Sequence, residues 1–367
     1  MTTKWTIVPK SLRESIKATK AEYRQVGKSG LRISNPILGC LSYGDPKWLD
    51  WVLEEKEALP VLNAAFRRGI NTWDTANIYS NGASERIIGN AMRKFNIPRH
   101  KLVIMTKCHR TMVDEADDDP GSMVAFMDGK VAKSKDYVNQ YGLSRSAIFR
   151  AVEDSLRRLD TDYIDILQVH RFDNTVPPEE TMRALDDLVR CGKVRYIGAS
   201  SMWAYQLATL QFVAQKNGWT KFISMQSHYS LLYREEEREV IKYCDSTGVG
   251  LLAWSPLAAG HLARDPQCFG STTRSAGDTK GPRFPTGQSS ADKEIIRRVQ
   301  EIAQKRRWAM SQVALAWVNK RVTAPVVGLN SIEKMDEVLE ARDKTLTEDE
   351  EKYLEEPYVP KEIQGHE

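Results

Sequence analysis

Long apolar runs are missing from this chain. No stretch approaches the roughly 20 consecutive apolar residues that a membrane-spanning helix needs, although 41% of the 367 residues are hydrophobic. The opening MTTKWTIVPKSLRESIKATK has no apolar centre and no small-residue cleavage pattern, which argues against a secretory signal. Glu14 and Glu22 sit among its basic residues, so residues 1–22 are expected to be an extension, disordered rather than an organellar leader. Cysteine is scarce and scattered. Cys40, Cys108, Cys191, Cys244 and Cys268 are odd in number and include no CxxC, so neither a disulfide framework nor a bound metal is supported, and a reducing cytoplasm is the expected compartment. Charge of one sign is lacking too: 53 basic against 49 acidic residues leaves +4, too near balance for a nucleic-acid binder. A glycine-rich phosphate turn is absent after the first strand, where Leu38-Gly39-Cys40-Leu41-Ser42-Tyr43-Gly44 stands instead, and this counts against a doubly wound dinucleotide-binding sheet.

What is present is a regular beat. Residues 23–34 read as a hairpin around Gly27-Lys28-Ser29-Gly30, and 35–38 as a strand. Helices at 56–68, 84–95, 144–159, 178–191, 204–217, 235–247 and 291–319 then alternate with strands at 71–75, 102–107, 163–169, 194–200, 222–227, 249–254 and 324–328, and a last helix covers 332–344. The strands are short and apolar on both sides, as in LVIMT and VGLLAW, which suits burial on both faces. Several helices end at glycine, where a left-handed cap is wanted. Eight strands alternating with helices predict an α/β fold, a single (β/α)8 TIM barrel over residues 23–367, with an open doubly wound sheet as the alternative. The long connections 46–53, 108–142 and 258–290 all follow strands, so in a barrel they lie on the carboxyl-terminal face, where active sites sit.

Four polar residues stand at that face: Asp74 at the end of one strand, Tyr79 in the loop after it, Lys107 closing LVIMTK and His170 closing YIDILQVH. A tyrosine with a pKa near ~10 is a slow proton donor at neutral pH. An ammonium held against its hydroxyl favours the phenolate and is expected to lower that pKa, and an aspartate fixes the ammonium in place. His170 is placed to orient a carbonyl oxygen. Each residue alone has an ordinary reading: a capping carboxylate, a half-buried aromatic, a surface lysine, a histidine bonded to backbone. The weight lies in their conjunction at neighbouring strand ends. Trp48, Trp51, His109 and the apolar Met123, Val124, Phe126 and Met127 either line a pocket for a bulky or aromatic carbonyl or only pack the loops against the barrel. Two patterns mislead. Tyr43 and Lys47 have YxxxK spacing, but Gly44 and Pro46 forbid the helix it needs, and the GxGxxA at 248–253 enters a strand instead of opening a helix.

The run Asp74-Thr75-Ala76-x-x-Tyr79-Ser80-x-Gly82-x-Ser84-Glu85, with Met105-Thr106-Lys107, Leu167-x-x-His170, Ile197-Gly198-Ala199-Ser200-Ser201, Met225-Gln226 and Trp254-Ser255-Pro256-Leu257-x-x-Gly260-x-Leu262, resembles the aldo-keto reductase family. The resemblance covers roughly 23–360 and points to the fungal branch of aryl-alcohol dehydrogenases and versiconal hemiacetal acetate reductases. It implies NADPH-dependent reduction of a small carbonyl compound, with no nucleic-acid or membrane partner. Tyr79 would be the general acid, Lys107 and Asp74 its tuners, and His170 the carbonyl-orienting residue. Trp254 would stack on the nicotinamide, and Ser200, Ser201 and Gln226 would hold its carboxamide. Ser255, Pro256, Leu257, Gly260 and Leu262 would line the pyrophosphate. Gly328, Asn330, Ser331, Lys334 and Glu337 would take the adenosine end, with Arg264, Arg274 and Arg283 closing over it. The helix from Ile332 points free N–H groups at an anion, and Lys334 adds a charge that the helix dipole alone would not favour there, which suits a 2′-phosphate. Ser201, Ser227 and Val338 stand where many relatives carry Asn. Two other readings keep the fold: a redox-sensing or docking subunit, as potassium-channel β subunits resemble this family, and a Schiff-base lyase using Lys107, which pairing with Asp74 opposes.

Overall fold

Eight short parallel strands close on themselves. In the computed structural model, which describes residues 8–114, 120–126, 128–268, 271–274 and 287–366, β1 (Glu22–Gln25) and β2 (Arg32–Asn35) form an antiparallel hairpin. The barrel runs β3 (Ile37–Gly39), β4 (Thr72–Asp74), β5 (Val103–Cys108), β6 (Ile164–Val169), β7 (Val194–Ser200), β8 (Phe222–His228), β9 (Gly250–Trp254) and β10 (Ala324–Val327), and β10 returns to β3. The open-sheet alternative is thereby excluded. β3 is joined to its neighbours by the pairs Val326↔Ile37 and Val327↔Leu38 on one side and Leu38↔Trp73 and Gly39↔Asp74 on the other.

The interior follows from composition. Ile37, Met105, Ile166, Leu252 and Val326 fill the barrel, and the apolar faces of the surrounding helices cover it outside, as strands buried on both faces require. The hairpin plugs the amino-terminal end. The amide of Lys28 donates to the carbonyl of Gly248 at 2.9 Å. Gly27 adopts φ +52, and a Cβ there would fall 2.2 Å from the Gly248 carbonyl oxygen, so only glycine allows this approach. One end of the barrel is sealed, and the cleft opens at the other.

Helix boundaries depart from the sequence reading at several points. Residues 235–247 were expected as one helix. They form a 3-10 turn, Glu235–Glu237, and a helix, Val240–Thr247. The cause is tertiary: the Glu235 carboxylate accepts from Tyr358 Oη at 2.7 Å and from the amide of Lys361 at 2.8 Å. The expected 291–319 region is two helices, Ser290–Arg306 and Met310–Asn319, separated at Arg307 with φ +54. A further helix, Glu348–Glu355, opens on a capping box between Thr347 and Glu350. Within the expected amino-terminal arm, Lys10–Ala18 is helical with no buried residue. Among the described residues no helix is long and apolar enough to cross a membrane.

The carboxyl-terminal segment folds back over the site. The amide of Gln364 donates to Tyr233 Oη at 2.8 Å, and His366 Nε2 lies 2.9 Å from Glu236 Oε1. Gly365 is thereby set against Trp254, Arg171 and Ser201.

Candidate active site

One carboxylate gathers the polar groups at the mouth of the barrel. Asp74, at the end of β4 and 2% exposed, accepts on Oδ2 from Lys107 Nζ at 2.6 Å. Its Oδ1 accepts from Gln168 Nε2 at 2.9 Å and from Gln226 Nε2 at 3.0 Å. β5, β6 and β8 thus each send one side chain to it. Lys107, 1% exposed, also donates to the Thr75 carbonyl at 2.9 Å and reaches Tyr79 Oη at 3.4 Å.

Tyr79 is positioned by its loop. Ser80 and Asn81 both take left-handed backbone (φ 48 each), and Asn81 Nδ2 donates to the carbonyl of Ser122 at 2.9 Å. Thr75 and Ser84 hydroxyls meet at 2.8 Å, and Ser84 Oγ donates to the Cys40 carbonyl at 2.8 Å, closing the loop onto β3. The rings of Tyr79 and His170 lie edge to face, 6.2 Å between centroids.

Burial decides the charge states, and it corrects one expectation. Burial opposes the Lys107 ammonium, but Asp74 and Tyr79 outweigh it and the pKa is raised. Burial is also the largest influence on Tyr79 and raises its pKa; Lys107 pulls the other way without prevailing. The expected net lowering does not occur, and the phenol stays protonated at neutral pH. His170 is held well below the usual histidine range, first by burial and then by the charges of Arg171 and Lys107, so its imidazole is neutral. Its buried Nδ1 has no hydrogen-bond partner among the described residues.

These groups open into a cleft of about 790 Å³. Asp74, Tyr79 and His170 line it, with Lys107 buried behind them. Of the cofactor candidates, Ser200, Gln226, Trp254, Ser255, Pro256, Leu257, Gly260, Arg264, Gly328, Asn330, Lys334 and Glu337 line the cleft, while Ser201, Leu262 and Ser331 do not. The Ser201 hydroxyl instead accepts from Trp254 Nε1 at 3.0 Å, and Ser331 Oγ caps the Ile332–Leu339 helix by accepting from the Lys334 amide at 3.3 Å. Trp254 has one face covered by His228, 4.2 Å away and nearly parallel. Trp48, Trp51 and Phe126 line the cleft, and Arg274 lies 4.3 Å over the Trp51 ring. His109 is buried outside the lining, its backbone at φ 148 and its ring 5.3 Å from Tyr141. Met127 and Arg283 fall outside the described residues.

Two contributors were not singled out from sequence. Gln168 was visible as a polar residue inside the apolar strand ILQV, two positions before His170 and therefore on the same side of β6. Arg171, the residue after His170, carried no pattern that set it apart.

The Aldo/keto reductase family matches residues 37–358 of this closed (β/α)8 barrel. The chain belongs to this family of oxidoreductases, which reduce small carbonyl compounds with a nicotinamide cofactor. It is 58% identical to an aldo-keto reductase of Fusarium vanettenii, over 98% of this chain and 97% of that one. It is 49% identical to the versiconal hemiacetal acetate reductase of Aspergillus parasiticus, over 93% and 98% of the two chains. It is 48% identical to a Schizosaccharomyces pombe protein carrying an aryl-alcohol dehydrogenase name, over 94% and 97%.

The cleft suits a dinucleotide in its residues. A flat aromatic ring, Trp254, lines it together with the tyrosine. The cations Arg264 and Lys334 line it too, and Lys334 is lowered in pKa by burial first and by Arg264 next. Two cations that disfavour each other across a cleft favour an anion between them. Along the lining, a side chain on Gly260 would meet Arg264 Nη2 at 2.8 Å, and one on Gly328 would meet Ser42 Oγ at 2.9 Å.

Proposed function

We propose that this protein is a cytoplasmic, NADPH-dependent reductase of aldehydes or ketones, preferring aryl or otherwise bulky carbonyl compounds, with Tyr79 as proton donor. The observation that carries the reading is the buried Lys107 ammonium, set between Asp74 at 2.6 Å and the Tyr79 hydroxyl at 3.4 Å at the floor of an open cleft. The pair formed by Lys334 and Arg264 supports the 2′-phosphate, and Trp48, Trp51 and Phe126 support a flat, apolar substrate body.

A nicotinamide cofactor would be held by cleft residues such as Trp254, Arg264 and Lys334, and its chemistry there would be to supply a hydride. The protein's own residues manage the oxygen. The substrate carbonyl oxygen sits between Tyr79 Oη and His170. The neutral imidazole orients it with an N–H, and the protonated phenol delivers its proton as negative charge develops there. The phenolate left behind faces the buried Lys107 ammonium, which stabilises it at short range. Gln168 and Gln226 hold Asp74, and Asp74 and the Thr75 carbonyl hold Lys107, so the ammonium needs no rearrangement when charge appears.

Tyr79→Phe tests this directly. NADPH binding, followed by fluorescence titration, should stay within a few-fold of the parent protein. Turnover of an aromatic aldehyde should fall by about 10²- to 10⁴-fold, the range of a lost general acid. A variant that keeps its turnover removes Tyr79 as the donor.

A further inference from the structure

Glu85 belongs to the run that carries Tyr79, yet proton transfer does not use it. It stands in the first turn of the helix Ala83–Lys94, where the helix dipole favours a carboxylate at the surface. Here the carboxylate is fully buried, and it does not line the cleft. Its Oε1 accepts from Thr106 Oγ1 at 2.5 Å and its Oε2 from Arg158 Nε at 2.7 Å. Arg158, buried too, lies in the last turn of the helix Arg145–Leu159 and also donates to Ser155 Oγ at 3.3 Å. One carboxylate thus ties together β5 and two helices.

Both ties lead to the reacting groups. Side chains alternate along β5. Met105 packs inside the barrel and Cys108 in the helix layer, so Thr106 meets Glu85 outside the wall while Lys107 points into the mouth. Fixing Thr106 therefore fixes the backbone that carries Lys107. On the other side, the amide of Ser84 donates to the Tyr79 carbonyl at 3.3 Å and that of Ala83 to the Ser80 carbonyl at 3.0 Å, so the Tyr79 loop rests on the same helix turn. Arg158 crosses the end of that loop. A Cβ on Gly82, at φ +80, would fall 2.5 Å from Arg158 Cδ, so only glycine admits the crossing. The contact between Lys107 and Tyr79, 3.4 Å, is at the long end for a hydrogen bond, and a small shift of either element breaks it. Stability alone does not call for an ion pair here, because apolar side chains of similar volume often serve as well or better. What the carboxylate adds is direction, holding two donors from two elements at fixed angles.

We propose that Glu85, with Thr106 and Arg158, is a positioning group that sets the separation of the Lys107 ammonium from the Tyr79 hydroxyl. This rests on the reductase reading above. Glu85 acts through those two residues and leaves the chemistry to them.

The test removes the ion pair without stranding a buried charge, in the double variant Glu85→Leu with Arg158→Met. Thr106→Val and Thr106→Ser separately remove and keep the hydroxyl. With the full chain, an aromatic aldehyde and NADPH, the double variant should keep the parent Tm within a few degrees and both KM values within a few-fold. Its single-turnover rate of NADPH oxidation, followed by stopped flow, should fall about 10- to 100-fold, the scale of a small misplacement of reacting groups. Thr106→Val should lose about tenfold in the same rate, and Thr106→Ser should recover most of it. A double variant with the parent rate, or a loss confined to KM and Tm, overturns the proposal. If the double variant does not fold, the two Thr106 variants decide by the same rate. If the parent protein reduces no aldehyde, the reductase reading fails, and crystal structures of the parent and Thr106→Val still decide the positioning. A separation of Lys107 and Tyr79 beyond hydrogen-bond range in the variant supports it, and an unchanged separation overturns it.

Discussion

Replacing Asp74 with Asn keeps the shape of the site and removes the charge that holds Lys107. The ammonium is 1% exposed and loses a partner at 2.6 Å. It can then remain charged and uncompensated, which costs about 3–5 kcal/mol for a broken buried pair. It can instead release its proton, which at pH 7 costs an ordinary lysine with a pKa near ~10.4 about 4.6 kcal/mol, at ~1.36 kcal/mol per unit. The second route caps the first, so a loss of about 3–5 kcal/mol is expected. With ~2.1 cal/mol/K of unfolding entropy per residue and 367 residues, that corresponds to a fall in Tm of about 4–6 °C. The pH dependence carries the sharper signature. In the parent protein the folded pKa of Lys107 lies above its unfolded value, so its contribution is complete below the unfolded pKa and is lost only as pH rises through the folded one. In Asp74→Asn only Tyr79 still opposes burial, the larger influence, and the folded pKa drops below the unfolded one. The unfolded chain then binds more protons between those values, and stability of the variant rises with pH by up to ~1.36 kcal/mol per unit. Urea denaturation at pH 7, 8 and 9 should therefore show the gap between parent and variant closing by up to ~2.7 kcal/mol. Adding Lys107→Met should recover stability at pH 7, because the uncompensated charge is gone. A gap that stays constant or widens with pH, or a double variant no more stable than Asp74→Asn, refutes the reasoning.

Other outcomes follow from the same geometry. Lys334→Ala should raise KM for NADPH by about 10- to 150-fold, equivalent to the ~1.5–3 kcal/mol of a charge-assisted hydrogen bond, and should affect NADH far less; equal losses would mean that the 2′-phosphate is read elsewhere. Gln168→Met keeps the side-chain volume but removes the donor 2.9 Å from Asp74 Oδ1. It should cost about 1.5–3 kcal/mol of stability and lower kcat with little change in cofactor KM, and an unaltered kcat would reduce Gln168 to a filler of the barrel mouth.

The strand ends were legible because strands buried on both faces leave a polar residue conspicuous. Asp74, Lys107 and His170 each close an apolar run, and the structure brings them with Tyr79 to one mouth. Gln168 obeyed the same rule inside its strand and was passed over. The net shift of Tyr79 was not legible, since whether Lys107 or burial prevails depends on how deep the ring lies. His109 was placed in the pocket by its position at the start of a long loop, but its unusual backbone turns the ring toward Tyr141. The break near Glu235 was invisible locally because its partner, Lys361, is 126 residues away. The helix at Glu348–Glu355 had a readable start in Thr347-Glu348-Asp349-Glu350.

β3 is the thinnest stave of the barrel, three residues long and tied by two rungs to each neighbour. The wall is easiest to part there, because local opening follows the sparsest hydrogen bonding. Residues just past β3, such as Ser42, and just past β10, such as Gly328 and Asn330, line the cleft side by side at the joint of the two strands. A long ligand lying over that joint touches both sides of it, and its affinity for the closed ring acts as a hoop there. Filling the cleft and keeping the barrel shut are, for this molecule, the same event.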